Sequence, residues 1–118
     1  MNARLLTMSI VSLVVLSAFP ANAANCKEMT FGKCFSIHGR YAIYADGDYL
    51  WIVGTKRMLD TTNDDLDKIL EKAGWESYAV YGDFTVCPTS KYRPGEMQGV
   101  CIQSYSNTKV RKWAGGRR

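Results

Sequence analysis

The chain has 118 residues, a formal net charge of +4, 47% apolar and 22% charged residues, the composition of an ordinary folded domain. That length excludes doubly wound nucleotide-binding folds, (β/α) barrels and kinases. The first residues shorten it further. Arg4, an apolar run from Leu5 to Phe19, Pro20 and the small-residue stretch Ala21-Asn22-Ala23 read as a cleaved secretory signal, too short to span a bilayer comfortably. Cleavage after Ala23, or one residue later after Ala24, leaves a soluble exported domain, 95 of the 118 residues in the first case. A periplasmic or secreted location follows. A domain of that size buries roughly 60–65% of its unfolded surface, so covalent staples are useful to it.

Without Arg4 the charge is +3, and Lys109, Arg111, Lys112, Arg117 and Arg118 put five positive charges in the last ten residues. The stretch from Ala24 to Thr108 is therefore slightly acidic, which excludes a polybasic nucleic-acid domain. Residues 109–118 are expected to be a flexible basic tail, its commoner role being solubility, its sharper one contact with an anionic surface. The domain proper is then 24–108.

Cys26, Cys34, Cys87 and Cys101 are even in number in an oxidising compartment, which predicts two disulfides. Zinc is the competing chemistry, but no tight Cys-x-x-Cys pair exists and His38 is the sole histidine, so no metal or cofactor is expected. Cys26 as a lipidated N-terminus, as in bacterial lipoproteins, is disfavoured. The preceding Ala23-Ala24-Asn25 lacks the usual leucine and sets a polar Asn25 beside the cut.

In chain order, Phe35–Tyr44 and Tyr49–Met58 are β-rich runs around Ala45-Asp46-Gly47-Asp48, an Asp-Gly hairpin signal. Pairing Tyr44 with Tyr49 sorts the hairpin into two faces by the two-residue period. Phe35, Ile37, Tyr41, Ile43, Leu50, Ile52 and Met58 form a core face. Ser36, His38, Arg40, Tyr44, Tyr49, Trp51, Thr55 and Arg57 form the other, and Gly39 falls opposite Gly54. A short strand around Arg57–Asp60 follows. One helix comes next: Thr61-Thr62-Asn63 offers caps, Asp64, Asp65 and Asp67 crowd its positive end, Leu66, Ile69, Leu70 and Ala73 recur at helical spacing, and Gly74 ends it. The three aspartates are explained by capping and do not follow a calcium-loop pattern.

Tyr78–Cys87 and Gly99–Tyr105 form a second β pair, joined by a long turn with Pro94-Gly95. Setting Cys87 opposite Cys101 sets Val86 opposite Ile102 and aligns Val80, Phe84, Val86, Val100 and Ile102 on one face. A Cys87–Cys101 bond is predicted on that agreement, closing a thirteen-residue loop worth roughly 3 kcal/mol, with Cys26–Cys34 as the remaining pair. The fold class is mainly β with one helix (α+β). The element order is that of a small five-stranded oligonucleotide/oligosaccharide-binding (OB-like) barrel, and an open antiparallel sheet with the helix on one face is the alternative.

The face with His38, Arg40, Tyr44, Tyr49, Trp51 and Arg57 is the candidate binding surface, because rings and guanidinium forks together hold sugars, bases or anionic polymers. Against this, tyrosines are good strand formers and cross-strand Tyr44 and Tyr49 can simply stabilise the hairpin. No catalytic residue is assigned. His38 is a candidate general base by residue type, but a lone strand histidine is more often structural. Serines 36, 77, 90, 104 and 106 lack a nucleophile-elbow context.

The runs Cys34-Phe35-Ser36-Ile37-His38-Gly39-Arg40, Leu50-Trp51-Ile52-Val53-Gly54-Thr55-Lys56-Arg57, Tyr81-Gly82-Asp83-Phe84-Thr85-Val86-Cys87-Pro88 and Val100-Cys101-Ile102 resemble a group of small exported proteobacterial proteins. That resemblance implies export and a bacterial source, and implies no mechanism. The reading is an exported binding domain with Trp51 stacking and Arg40 and Arg57 holding a polar or anionic ligand. Its partner would be a glycan, an anionic surface or another exported protein. The alternatives are a protein-interaction module, such as an inhibitor of an exported enzyme, and last a small hydrolase pairing His38 with a carboxylate such as Asp83.

Overall fold

Alternating apolar and polar residues draw Phe35–Tyr44 (β1) and Gly47–Ile52 (β2) into an antiparallel hairpin. The structure, a computed structural model, describes Cys26 and residues 31–113. The signal segment, its cleavage point and Ala114–Arg118 lie outside the described residues. Met58–Asp60 is β3, Asp64–Ala73 is α1, Tyr78–Pro88 is β4 and Gln98–Lys112 is β5. The molecule is mainly β with a single helix. Its five-strand mixed sheet closes in a ring in the order β1-β2-β3-β5-β4, with β4 returning to β1. Only the β3–β5 contact is parallel. Every strand pairs on both sides, which leaves the sheet no free edge, so the open-sheet alternative does not hold.

The hairpin turn is tighter than expected. Tyr44 pairs with Gly47 and Ala42 with Tyr49, so only Ala45 and Asp46 lie between the strands. This shifts the register by two residues, which preserves both faces because the side-chain period is two. The shift removes the supposed Gly39–Gly54 pairing. Gly39 faces Ile52 on β2 and Gly82 on β4. A Cβ at Gly39 would come within 2.8 Å of the Leu50 side chain and 3.1 Å of Phe84, so the glycine lets the core close over the strand.

The core is Tyr41, Leu50, Leu59, Leu66, Leu70, Val80, Phe84, Val86, Val100 and Ile102. The five apolar positions assigned to β4 and β5 are all in it. In α1, Asn63 caps the first turn by accepting from the Leu66 N–H at 2.9 Å, and Gly74 ends it in the left-handed region with φ 104°. Leu66 and Leu70 are buried, but Ile69 is 41% exposed and Ala73 is exposed too. The helix leans on β4 and β1 at the end of the ring where β3 stops and β4 starts. A helix closing a ring end needs only a narrow i, i+4 stripe, narrower than the one its periodicity suggested.

The disulfides join Cys26 to Cys101 and Cys34 to Cys87, which corrects the predicted pairing. Cys87 does face Cys101 and Val86 does face Ile102. β4, however, is flanked on its other side by β1, where Phe35 pairs with Val86, so Cys34 is brought beside Cys87, with Cα atoms 4.0 Å apart. Both bonds span the fold, over 53 and 75 residues. Two intramolecular disulfides fit an oxidising, extracytoplasmic compartment. Among the described residues no helix is long and apolar enough to cross a membrane.

The basic tail begins later than expected. Lys109–Lys112 continue β5, with Tyr78 opposite Lys112 and Tyr81 opposite Lys109. The strand reaches that far through two extra residues, at Gln103 and near Asn107–Thr108, where the register slips. Such bulges bend a strand and re-aim its side chains.

Candidate functional site

The outer face of the hairpin gathers Arg40, Tyr44, Tyr49 and Trp51 as the alternation required. Arg40 lies between two indoles, with its guanidinium carbon 4.5 Å from the Trp51 ring centre and 4.2 Å from that of Trp113. Its Nη2 donates to the Tyr44 hydroxyl at 3.4 Å, while its buried Nε has no partner. Tyr44 meets Tyr49 and Trp113 edge-on at 5.1 and 5.3 Å. Trp113 is anchored by its backbone N–H to the Ser77 carbonyl at 2.8 Å and by Nε1 to the Tyr78 carbonyl at 3.1 Å. Ala42, between Arg40 and Tyr44 on this face, is buried. Trp113 falls within the stretch 109–118 expected to be a flexible tail. The one signal that points to it is that Val110 and Trp113 interrupt the basic run with apolar residues.

Arg57 is not on this face. The strand breaks after Ile52, where the Thr55 hydroxyl donates to the Ile52 carbonyl at 2.8 Å, and pairing resumes with Met58 directly across from Trp51. Met58 therefore shares the Trp51 side and Arg57 takes the other, the reverse of the assignment made by unbroken alternation. Arg57 donates to Gln98 Oε1 at 2.5 Å and lies 5.0 Å from the Tyr92 ring centre.

His38 sits beside the indole cluster, facing Asp83 across β1–β4. Its Nδ1 is hydrogen-bonded to Asp83 Oδ1, and Asn107 Nδ2 donates to the other carboxylate oxygen at 2.9 Å. The bulge at Asn107, which holds φ 52°, is what turns that amide toward β4. The Asn107 donor, and after it the imidazole, hold the Asp83 carboxyl below the usual carboxylate range. His38 is 72% exposed, and Nε2 is the ring nitrogen left available. Ser36, one step along the same face, shares a 3.1 Å hydrogen bond with Thr85 and not with the imidazole.

Register places Arg40, Tyr81 and Lys109 in one row across β1, β4 and β5, with Arg111 beside them. An open groove of about 480 Å³ runs along the Tyr81–Lys109 part of this row, lined by His38, Val53, Tyr81, Asp83, Asn107, Lys109 and Arg111. Tyr81, Lys109 and Arg111 are not among the site residues the sequence predicts, because the last two fall in the segment whose composition predicts a tail. Among the described residues no group of three or more His, Cys, Asp or Glu side chains is placed to hold a metal ion.

No family model, curated protein or solved structure matches this chain.

Proposed function

We propose that this chain is an exported, disulfide-stapled barrel of the OB type that acts by binding a polar or anionic ligand on the outer face of β1, β4 and β5. The observation that carries the reading is the groove that sets Tyr81, Lys109 and Arg111 beside the held imidazole of His38, with Arg40 next to Tyr81 on β1 at its edge. Cations at strand spacing contact successive anionic groups, a tyrosine face packs on a sugar or base, and His38 adds a hydrogen-bonding edge. Arg40 already occupies the Trp51 ring, so Trp51 braces Arg40 at the edge of the groove and Tyr81 takes the stacking role. The element order, with the helix between the third and fourth strands and a parallel contact between the third and fifth, is that of OB barrels. A periplasmic or secreted location agrees with the two disulfides and with the signal-like start of the chain.

The test is an NMR titration of the oxidised protein with a heparin-derived oligosaccharide, single-stranded oligonucleotides and a neutral glucan. Shifts at Tyr81, Lys109 and Arg111 amides with at least one ligand below millimolar concentration, weakened about tenfold in Lys109→Gln/Arg111→Gln, are the expected result. No shift with any of them removes the reading.

A hydrolase that uses His38 has one observation in its favour, the His38–Asp83 hydrogen bond, which is the orienting contact of a general base. It needs His38→Ala to abolish a turnover that Lys109→Gln leaves measurable.

A further inference from the structure

The two ends of the ring carry opposite charge. At the α1 end lie Asp46, Asp48, Asp60, Asp64, Asp65, Asp67, Glu71 and Glu76 against Lys68, Lys72, Arg111 and Lys112, on the β1–β2 turn, on the stretch from the end of β3 to the start of β4 and on the end of β5 beside it. The start of β1, the β2–β3 turn and the β4–β5 loop meet at the other end. There Lys33, Lys56, Arg57, Lys91 and Arg93 face a single carboxylate, Glu96. Among the described residues none of these five cations lies within ion-pair distance of a carboxylate.

The same basic end holds Phe31, Val53, Tyr92 and Met97, four of the six large apolar side chains that are exposed among the described residues. Phe31, Tyr92 and Met97 are 65%, 58% and 50% exposed. One such residue is ordinary on a protein surface. Four on three segments at one pole, interleaved with cations, are a different pattern. They come together because the Phe31 N–H donates to the Pro88 carbonyl at 2.9 Å, which sets Phe31 at the root of the β4–β5 loop. Tyr92 and Met97 also border a groove of about 610 Å³ with Lys56, Arg57 and Met58.

We propose that this pole docks on an anionic phospholipid bilayer, with residues 31–34, 53–57 and 89–97 against the lipid and the acidic α1 end held away. Lysines and arginines at a membrane surface gain from its negative potential, and an aromatic ring with a polar tip, such as Tyr92, settles at the headgroup level. Phe31 and Met97 would insert among the acyl chains, a gain that a hydrated polyanion or an acidic protein surface cannot offer all three loops at once. The repelled carboxylates at the far end fix the orientation. This surface meets the β1–β4–β5 groove at Val53, which borders that groove; Phe31, Tyr92, Met97 and the five cations lie outside it.

The test is co-sedimentation of the exported, oxidised protein with vesicles of phosphatidylcholine, with and without 30% phosphatidylglycerol. The expected result is at least tenfold tighter binding to the anionic vesicles. Lys91→Gln/Arg93→Gln should weaken it about 25-fold, at about fivefold per cation. Phe31→Ser/Tyr92→Ser/Met97→Ser should weaken it at least tenfold at unchanged charge, while Lys109→Gln/Arg111→Gln, in the other groove, should lose no more than twofold. Thermal midpoints and disulfide maps establish that each variant is folded. Equal binding to both vesicle types overturns the proposal. So does an apolar triple variant that binds like the parent, since that pattern marks the pole as a site for soluble polyanions.

Discussion

The Tyr41 hydroxyl donates to the Asp67 carboxylate at 2.7 Å and accepts from the Asn63 N–H at 2.9 Å, so one core phenol ties β1 to the start of α1. Asp48 of β2 approaches the same oxygen at 3.2 Å. Burial pushes the Asp67 carboxyl up to about 6, with Tyr41 opposing and Asp48 adding to the rise. The folded value thus lies above the unfolded one of about 3.9. The stabilisation from this group is complete below about pH 4 and is lost as pH rises through about 6.

The first prediction follows from that sign. Asp67→Asn keeps an acceptor for the phenol and removes the charge, so its urea midpoint should rise relative to the parent at pH 7.5 and differ little at pH 4. Equal differences at both values would show that the carboxyl does not titrate in this window. Tyr41→Phe strips the N–H of Asn63 and both carboxyls of their shared partner and should cost about 1–3 kcal/mol.

The second prediction concerns the staples. Non-reducing peptide mapping should recover Cys26 with Cys101 and Cys34 with Cys87. Loop closure over 53 and 75 residues corresponds to about 4 kcal/mol for each bond taken singly. Cys26→Ser/Cys101→Ser and Cys34→Ser/Cys87→Ser should each lower the unfolding free energy measured by urea denaturation by an amount of that order, the two losses not being additive.

The bonds also mark how far the sequence can be read. Alternation alone places Val86 opposite Ile102 and Cys87 opposite Cys101, because register obeys the pattern of apolar residues on one pair of strands. Which cysteine bonds to Cys87 depends on β1 lying against the other edge of β4, a non-local fact that no spacing within residues 78–105 contains. Arg57 failed for a related reason: one break in pairing between Ile52 and Met58 inverts every later side chain. The caps at Asn63 and Gly74 were legible because capping is decided by neighbours in the chain. Lys109 and Arg111 were not, because a charged strand whose apolar partner face is supplied by β4 has no periodicity of its own.

Arg40 supports the third prediction. Its contacts with Trp51 and Trp113 should together be worth about 1–2 kcal/mol, so Arg40→Gln should lose that much. Trp113→Ala removes the anchors to Ser77 and Tyr78 as well. It should free the end of β5, seen as faster amide exchange at Val110 and Lys112 with little change at Ile102. Uniform acceleration through the whole strand would show that the indole stabilises the ring globally and does not act as a local latch.

The last prediction links the close packing of β1 and β4 to the His38 site. Gly39 and Gly82 face each other across these strands, and a Cβ on either would be crowded, but by different things. At Gly39 the obstacles are the side chains of Leu50 and Phe84, which can repack at a cost of about 1–3 kcal/mol. At Gly82 they include the Ser106 carbonyl oxygen at 3.0 Å and the Thr108 Cα at 3.2 Å, backbone atoms on either side of the Asn107 bulge. Relief there has to move the bulge, and the bulge carries the amide that holds Asp83. Gly82→Ala should therefore shift the Asn107 side-chain NH₂ and His38 ring resonances, while Gly39→Ala lowers the thermal midpoint and leaves those resonances in place. If both variants disturb the ring signals equally, the bulge is not what positions the dyad.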